Sequence, residues 1–251
     1  MKSYFYIFLL IVALLTGCSN ETEQQSVLTV SAAASLSDVL KEIASQFQED
    51  YPNIKVQFNF GGSGSLKEQI EQGAPVDVFI SASTEKFNEL VEGEFVEDGT
   101  NLVRNELVLI TSTKQEGITT FQNLLSEDIE KIALGTPETV PAGEYGQQAL
   151  QYYDVWATIE SKIVYAKDVR QVLTYVETNN VQAGIVYKTD ALSSDKVRIV
   201  QTAEQSSHDA IVYPAGVVTS STRIEDAHVF LDYLAGENVQ EIWQQYGFDM
   251  E

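Results

Sequence analysis

The chain has 251 residues, with 37 acidic against 15 basic side chains for a formal net charge of −22, and apolar residues make up 44% of it. That balance excludes nucleic-acid binding, which needs a basic face, while the apolar fraction is sufficient for a real core. The single cysteine, Cys18, excludes a disulfide framework, a Cys-based metal site and a thiol nucleophile in the folded body.

At the N-terminus, Lys2 is followed by twelve apolar residues, Tyr4 to Leu15, and then by Leu15-Thr16-Gly17-Cys18. The run is too short to span a bilayer and has the length of a signal-peptide apolar region. Leu-Thr-Gly-Cys resembles the lipobox of bacterial lipoproteins. The resemblance implies removal of residues 1–17, lipidation of Cys18, and an extracytoplasmic protein anchored to the cell membrane. Residues 18–26 then read as the lipidated cysteine and a polar tether. Loss of Lys2 takes the net charge from −22 to −23, and roughly 225 residues remain for one large or two smaller domains.

Strand and helix patterns alternate from there. Leu28 to Val30 reads as a strand; Val39, Leu40, Ile43 and Phe47 have helical spacing, ended by Pro52. Ile54 to Phe60 alternates as a strand, Gly61-Gly62-Ser63-Gly64-Ser65 interrupts, and a helix follows with Leu66 and Ile70 inward. Val76 to Ile80 is a strand and Thr84 to Val91 a helix. This βαβαβα order implies a parallel sheet covered by helices. A long strand, Leu102 to Thr111, opens a second series: strand Lys131–Leu134, helix Ala142–Tyr153, strand Lys162–Tyr165, helix Asp168–Glu177, strand Ala183–Tyr187. Ile211 to Val218 reads as a second long crossing strand, and helices around Ile224–Leu234 and Val239–Gln245 close the chain. The pattern predicts an α/β protein of two lobes, each a mostly parallel sheet flanked by helices. One lobe takes 27–107 and 218–251, the other 108–217, with a ligand cleft between them outside the carboxyl ends of the strands.

The turns that would face this cleft share a trait. Ser35 follows the first strand as a natural N-cap. Ser65-Leu66-Lys67-Glu68 is a capping box, which occupies Ser65 and leaves Ser63 to face the cleft. Val140-Pro141-Ala142-Gly143 places Pro at a helix start, and Asp168-Val169-Arg170-Gln171 is a second capping box that leaves the Val169 N–H unpaired. Each start offers orphan N–H groups and about half a unit of positive charge. Four together would make an anion trap without a cationic side chain in contact, although capped helix starts also occur in every α/β protein.

Five segments carry a resemblance: Val30 to Leu36 (VSAAASL), Gly73 to Ala82 (GAPVDVFISA), Thr139 to Gly143 (TVPAG), Lys167 to Arg170 (KDVR) and Gly184 to Tyr187 (GIVY), with Tyr246-Gly247-Phe248 at the end. In this order they resemble the molybdate-binding protein of bacterial ABC importers over nearly the whole chain after the tether. The resemblance implies a two-lobed periplasmic-binding-protein fold of type II and capture of molybdate or tungstate for a membrane permease and its ATPase by a monomeric, non-enzymatic receptor. No cofactor is implied, and molybdenum is bound as the oxyanion without direct protein ligation. The implied ligand groups are the hydroxyls of Ser35, Ser63 and Tyr187 and the backbone N–H groups of Ser35, Ala142 and Val169. Relatives can have a Ser-rich loop at 61–65, so Ser65 is the alternative to Ser63.

Other functions fit the sequence less well. A receptor for another tetrahedral oxyanion such as sulfate is the nearest alternative. A serine-type hydrolase lacks a G-x-S-x-G elbow, and His208 and His228 read as surface residues. The acidic residues are scattered without metal-ligand spacing.

Overall fold

A computed structural model describes residues 25–97 and 99–250; the signal segment, Cys18 and nearly all of the tether lie outside the described residues. The chain starts with β1 (Ser26–Ala33), α1 (Ser37–Asp50), β2 (Ile54–Gly61), α2 (Ser63–Glu71), β3 (Val78–Ile80), α3 (Thr84–Glu92) and β4 (Thr100–Arg104). It continues with β5 (Leu107–Ser112), β6 (Ile132–Gly135), α4 (Pro141–Tyr152), β7 (Ile163–Ala166), α5 (Val169–Glu177), β8 (Ala183–Tyr187) and β9 (Val197–Thr202). Finally come β10 (Val212–Val217), α6 (Ile224–Ala235), α7 (Gln240–Gln245) and β11 (Asp249–Met250).

Two sheets form, ordered β11-β4-β10-β3-β1-β2 and β7-β6-β8-β5-β9. In each, three strands run parallel, β2-β1-β3 and β7-β6-β8, because helices on the sheet faces connect them. The remaining pairings are antiparallel. The sheets are therefore mixed, rather than mostly parallel as the βαβ pattern alone predicts.

The helices obey their apolar spacing. α1 buries Val39, Leu40, Ile43, Ala44 and Phe47 and stops before Pro52, where Tyr51 has left the helical conformation. Leu66 and Ile70 of α2 are buried against Phe79, Phe87 and Leu90.

The expected strand Leu102–Thr111 breaks at Asn105-Glu106. Its first part, β4, pairs with β10 and β11, and its second part, β5, pairs with β8 and β9. The chain thus passes from one lobe to the other at the break. The return is earlier than expected: β10 pairs with β3 and β4 of the first sheet, so 212–217 belongs to the first lobe and the crossing falls between β9 and β10. The edge strand β9 has a weak pattern of burial and has no counterpart in the sequence reading.

Candidate functional site

The carboxyl ends of the six parallel strands point into one place. Ala33 ends β1, with Ala34 and Ser35 following it; Gly61, Gly62 and Ser63 end and follow β2; Ala82 follows β3. From the other lobe come Val140, Pro141 and Ala142 after β6, Val169 after β7, and Tyr187 at the end of β8. These twelve residues line a small cavity between the lobes, and none of them is Asp, Glu, His, Lys or Arg. All five expected site residues, Ser35, Ser63, Ala142, Val169 and Tyr187, are among the lining; Ser65 is not.

Each polar group has a definable role. Ser63, wholly buried, accepts the Ala82 N–H at 2.9 Å through its oxygen, so its own proton is left to donate. Ser35, 6% exposed, lies 2.9 Å from the Tyr213 hydroxyl. Pro141 occupies the first position of α4 and Ala142 the second, where no carbonyl of the helix reaches the N–H. Val169 opens α5 in the same way. The Tyr187 hydroxyl is buried with no hydrogen-bond partner. Burial holds its pKa well above the ordinary tyrosine value, so it stays a neutral donor. An orphaned buried hydroxyl is costly, about 1–3 kcal/mol, and points to a group that the cavity is built to receive.

Three capping expectations need correction. Ser35 sits inside a 3-10 turn, Ala34–Leu36, that has no side-chain cap; its hydroxyl goes to Tyr213 instead. Ser65 is the third residue of α2 rather than its cap, because the helix begins at Ser63 after Gly62. The Gly64 N–H, an orphan of that first turn, is taken at 3.0 Å by the Thr139 carbonyl of the opposite lobe. That contact replaces a side-chain cap. Asp168 does cap α5, accepting the Gln171 N–H at 2.8 Å, but Gln171 reaches back to the Lys167 N–H rather than to Asp168.

The glycines of the loop also find their reason here. A Cβ on Gly62 would stand 2.7 Å from the Thr139 carbonyl oxygen, and one on Gly64 would stand 2.7 Å from the Thr139 Cα. Only glycine lets the two lobes meet at this distance. The lobes are closed. Tyr145 of α4 reaches the Ala82 carbonyl at 3.3 Å, and Arg170 joins Asp38 of α1 to the buried Asp190.

Sequence reasoning gave Arg170 no role beyond its place in the helix start and missed it as a bridge, and it also missed Tyr145, Tyr213 and Asn105. No local pattern marks a partner on the other lobe. His228 is exposed and His208 half-buried beside the Tyr145 ring; neither lines the cavity. Among the described residues no group of three or more His, Cys, Asp or Glu could hold a metal ion.

Two open α/β lobes closed over a small, uncharged, donor-lined cavity define a bilobal solute receptor. The chain belongs to the family of bacterial extracellular solute-binding proteins, whose model matches residues 28–249. Proteins of this family bind solutes rather than transform them. The chain is 46% identical to YvgL of Bacillus subtilis (strain 168), provisionally assigned as an ABC transporter substrate-binding lipoprotein, over 99% of this chain and 98% of that one. It is 35% identical to the molybdate-binding protein ModA of Escherichia coli (strain K12), over 92% of each. The solved periplasmic molybdate-binding protein of Azotobacter vinelandii superposes with a TM-score of 0.78 at 22% identity, covering 89% of this chain and 99% of that one.

Proposed function

We propose that the protein captures molybdate or tungstate outside the cytoplasm and hands it to the permease and ATPase of an ABC importer, held to the membrane through lipidated Cys18. The observation that carries this reading is the lining itself: buried hydroxyls and helix-start N–H groups from both lobes, one of them the orphaned Tyr187 hydroxyl, with no charged side chain. A fully deprotonated tetrahedral dianion has only acceptor oxygens and meets donors on every side. Phosphate near neutral pH keeps a proton and would need an acceptor that the lining does not supply. The relationship to proteins named for molybdate binding supports the same anion.

Sulfate meets the donor requirement and differs in size. Its shorter bonds would leave some fixed N–H groups out of reach, each unpaired donor costing about 1–3 kcal/mol. Molybdate and tungstate should bind with similar strength at micromolar Kd or tighter, about −8 kcal/mol, with sulfate and phosphate much weaker. Competitive calorimetry with the four anions tests this. Sulfate displacing molybdate at equal concentration would mark the protein as the receptor of a different oxyanion.

A further inference from the structure

We propose that Asn105 and Tyr213 are positioning residues that order the hydroxyl proton of Ser35 toward the cavity, making Ser35 a donor and not an acceptor. The inference rests on the oxyanion reading above.

The direction of each hydrogen bond follows from a group that cannot reverse its role. Asn105 lies at the break between β4 and β5. Its Oδ1 accepts the Glu106 N–H at 2.9 Å; an N–H cannot accept, so the amide orientation is set and Nδ2 faces the other way. That nitrogen donates to the Thr189 hydroxyl at 2.9 Å and to the Tyr213 hydroxyl at 3.2 Å. Tyr213 is fully buried. With its oxygen already taking the Asn105 proton, its own proton goes to Ser35 Oγ, 2.9 Å away. Ser35 has then used its oxygen as an acceptor, and its proton is left for the cavity. The Ala82 N–H imposes the same sense on Ser63, and the Tyr187 proton is unclaimed. Ser35 and Ser63 are thus wired to give, while the unpartnered Tyr187 hydroxyl is free to turn its proton to the ligand as well, so the two serines offer a protonated oxyanion no acceptor.

The experiment inverts the relay. In Asn105→Asp, nearly isosteric, a carboxylate replaces the donor nitrogen. The Tyr213 proton then turns to residue 105, the Ser35 proton turns to Tyr213, and Ser35 presents a lone pair. Binding of molybdate and of phosphate at pH 7.5 is measured for wild type, Asn105→Asp, Tyr213→Phe and the double variant Asn105→Asp with Ser35→Ala, each checked for folding by its melting curve. Molybdate should bind about tenfold more weakly to Asn105→Asp, with the phosphate-to-molybdate affinity ratio shifted about tenfold toward phosphate. Tyr213→Phe, which frees Ser35 to rotate, should lose molybdate affinity with a smaller change of ratio. In the Ser35→Ala background Asn105→Asp should no longer move the ratio.

Equal weakening for both anions, unchanged affinity in both single variants, or an effect that persists without the Ser35 hydroxyl would overturn the relay. Wild type that binds sulfate and refuses molybdate and tungstate would overturn the functional reading alone, and the ratio is then taken against sulfate, which is also fully deprotonated. Wild type that binds none of these anions overturns both.

Discussion

Gly64→Ala is the sharpest test of closure. In the closed form the added Cβ would meet three backbone atoms of Thr139, at 2.7, 2.9 and 3.1 Å. None of them belongs to a side chain that can swing away, so relief requires the lobes to separate. Moving the nearest atom from 2.7 Å to an ordinary contact near 3.4 Å takes about 0.7 Å. A separation of that size lengthens a 2.8 Å hydrogen bond to about 3.5 Å, past the range in which it contributes. The opposite lobe supplies the Ala142 and Val169 N–H groups and the Tyr187 hydroxyl to the cavity. Hydrogen bonds to a charged group are worth roughly 1.5–3 kcal/mol each, so weakening even one implies a loss of about tenfold or more in affinity.

The ligand-free protein should respond in the opposite sense. When the lobes are apart Gly64 faces no obstacle, and it occupies the second position of α2, where Ala is the better helix former by up to about 1 kcal/mol. Calorimetry should show a large loss of oxyanion affinity, and thermal melts should show an unchanged or higher Tm without ligand and a collapsed ligand-induced shift. Wild-type affinity in Gly64→Ala would refute the argument, because the closed contact could then not be a condition of binding.

The Ser63→Ala variant should lose about tenfold or more in affinity while Ser65→Ala, outside the lining, leaves affinity within about twofold; titration of both decides which serine serves the ligand. Asp190 is buried beside Arg170, and burial pushes its carboxyl up to about 7 from 3.8. The folded state therefore keeps a proton that the unfolded state releases between those values, so Asp190 lowers stability as pH rises through that window. Asp190→Asn should accordingly gain in denaturation midpoint relative to wild type between pH 4.5 and 8, and a constant difference would count against the assignment. Cys18→Ser should move the protein from the membrane to the soluble fraction, and unchanged membrane association would remove the lipid anchor from the proposal.

Much of the site was legible because its signals are local. Ala142 is reached through Pro141 at a helix start, Val169 through the Asp168 cap, and both follow strands whose apolar runs are plain in the sequence. The family motifs then singled out Ser35, Ser63 and Tyr187, which the cavity brings together. What failed was local grammar overruled by the other lobe. Ser65-Leu66-Lys67-Glu68 has the form of a capping box, yet α2 starts three residues earlier because the Thr139 carbonyl satisfies the Gly64 N–H. Likewise, Leu102 to Thr111 is continuously apolar enough to read as one strand, and the break at Asn105 becomes visible only once β4 and β5 are seen to pair in different sheets. Tyr213, Tyr145 and Arg170 carry no periodic signal for their roles, since each acts on a residue more than 60 positions away.

The net charge gives a last consequence. A protein of charge −22 that binds a dianion must overcome its own field, and here no cation is spared for the task. Arg170, adjacent to Val169, is held between Asp38 and Asp190 and lends the cavity little net positive charge. The attraction is left to N–H and O–H dipoles in direct contact with the ligand between the two lobes, where screening by salt is small. The repulsion comes from surface carboxylates, screened over about 8 Å at physiological ionic strength. Salt should therefore weaken the repulsion and leave the contacts alone. Raising sodium chloride from low to about 0.5 M should increase the association rate of molybdate by roughly two- to tenfold, with the dissociation rate nearly constant and Kd unchanged or tighter. Stopped-flow tryptophan fluorescence across a salt series measures both rates. A steep loss of affinity with salt is the behaviour of a site built on lysine or arginine, and observing it would mean that a cation outside the lining holds the anion.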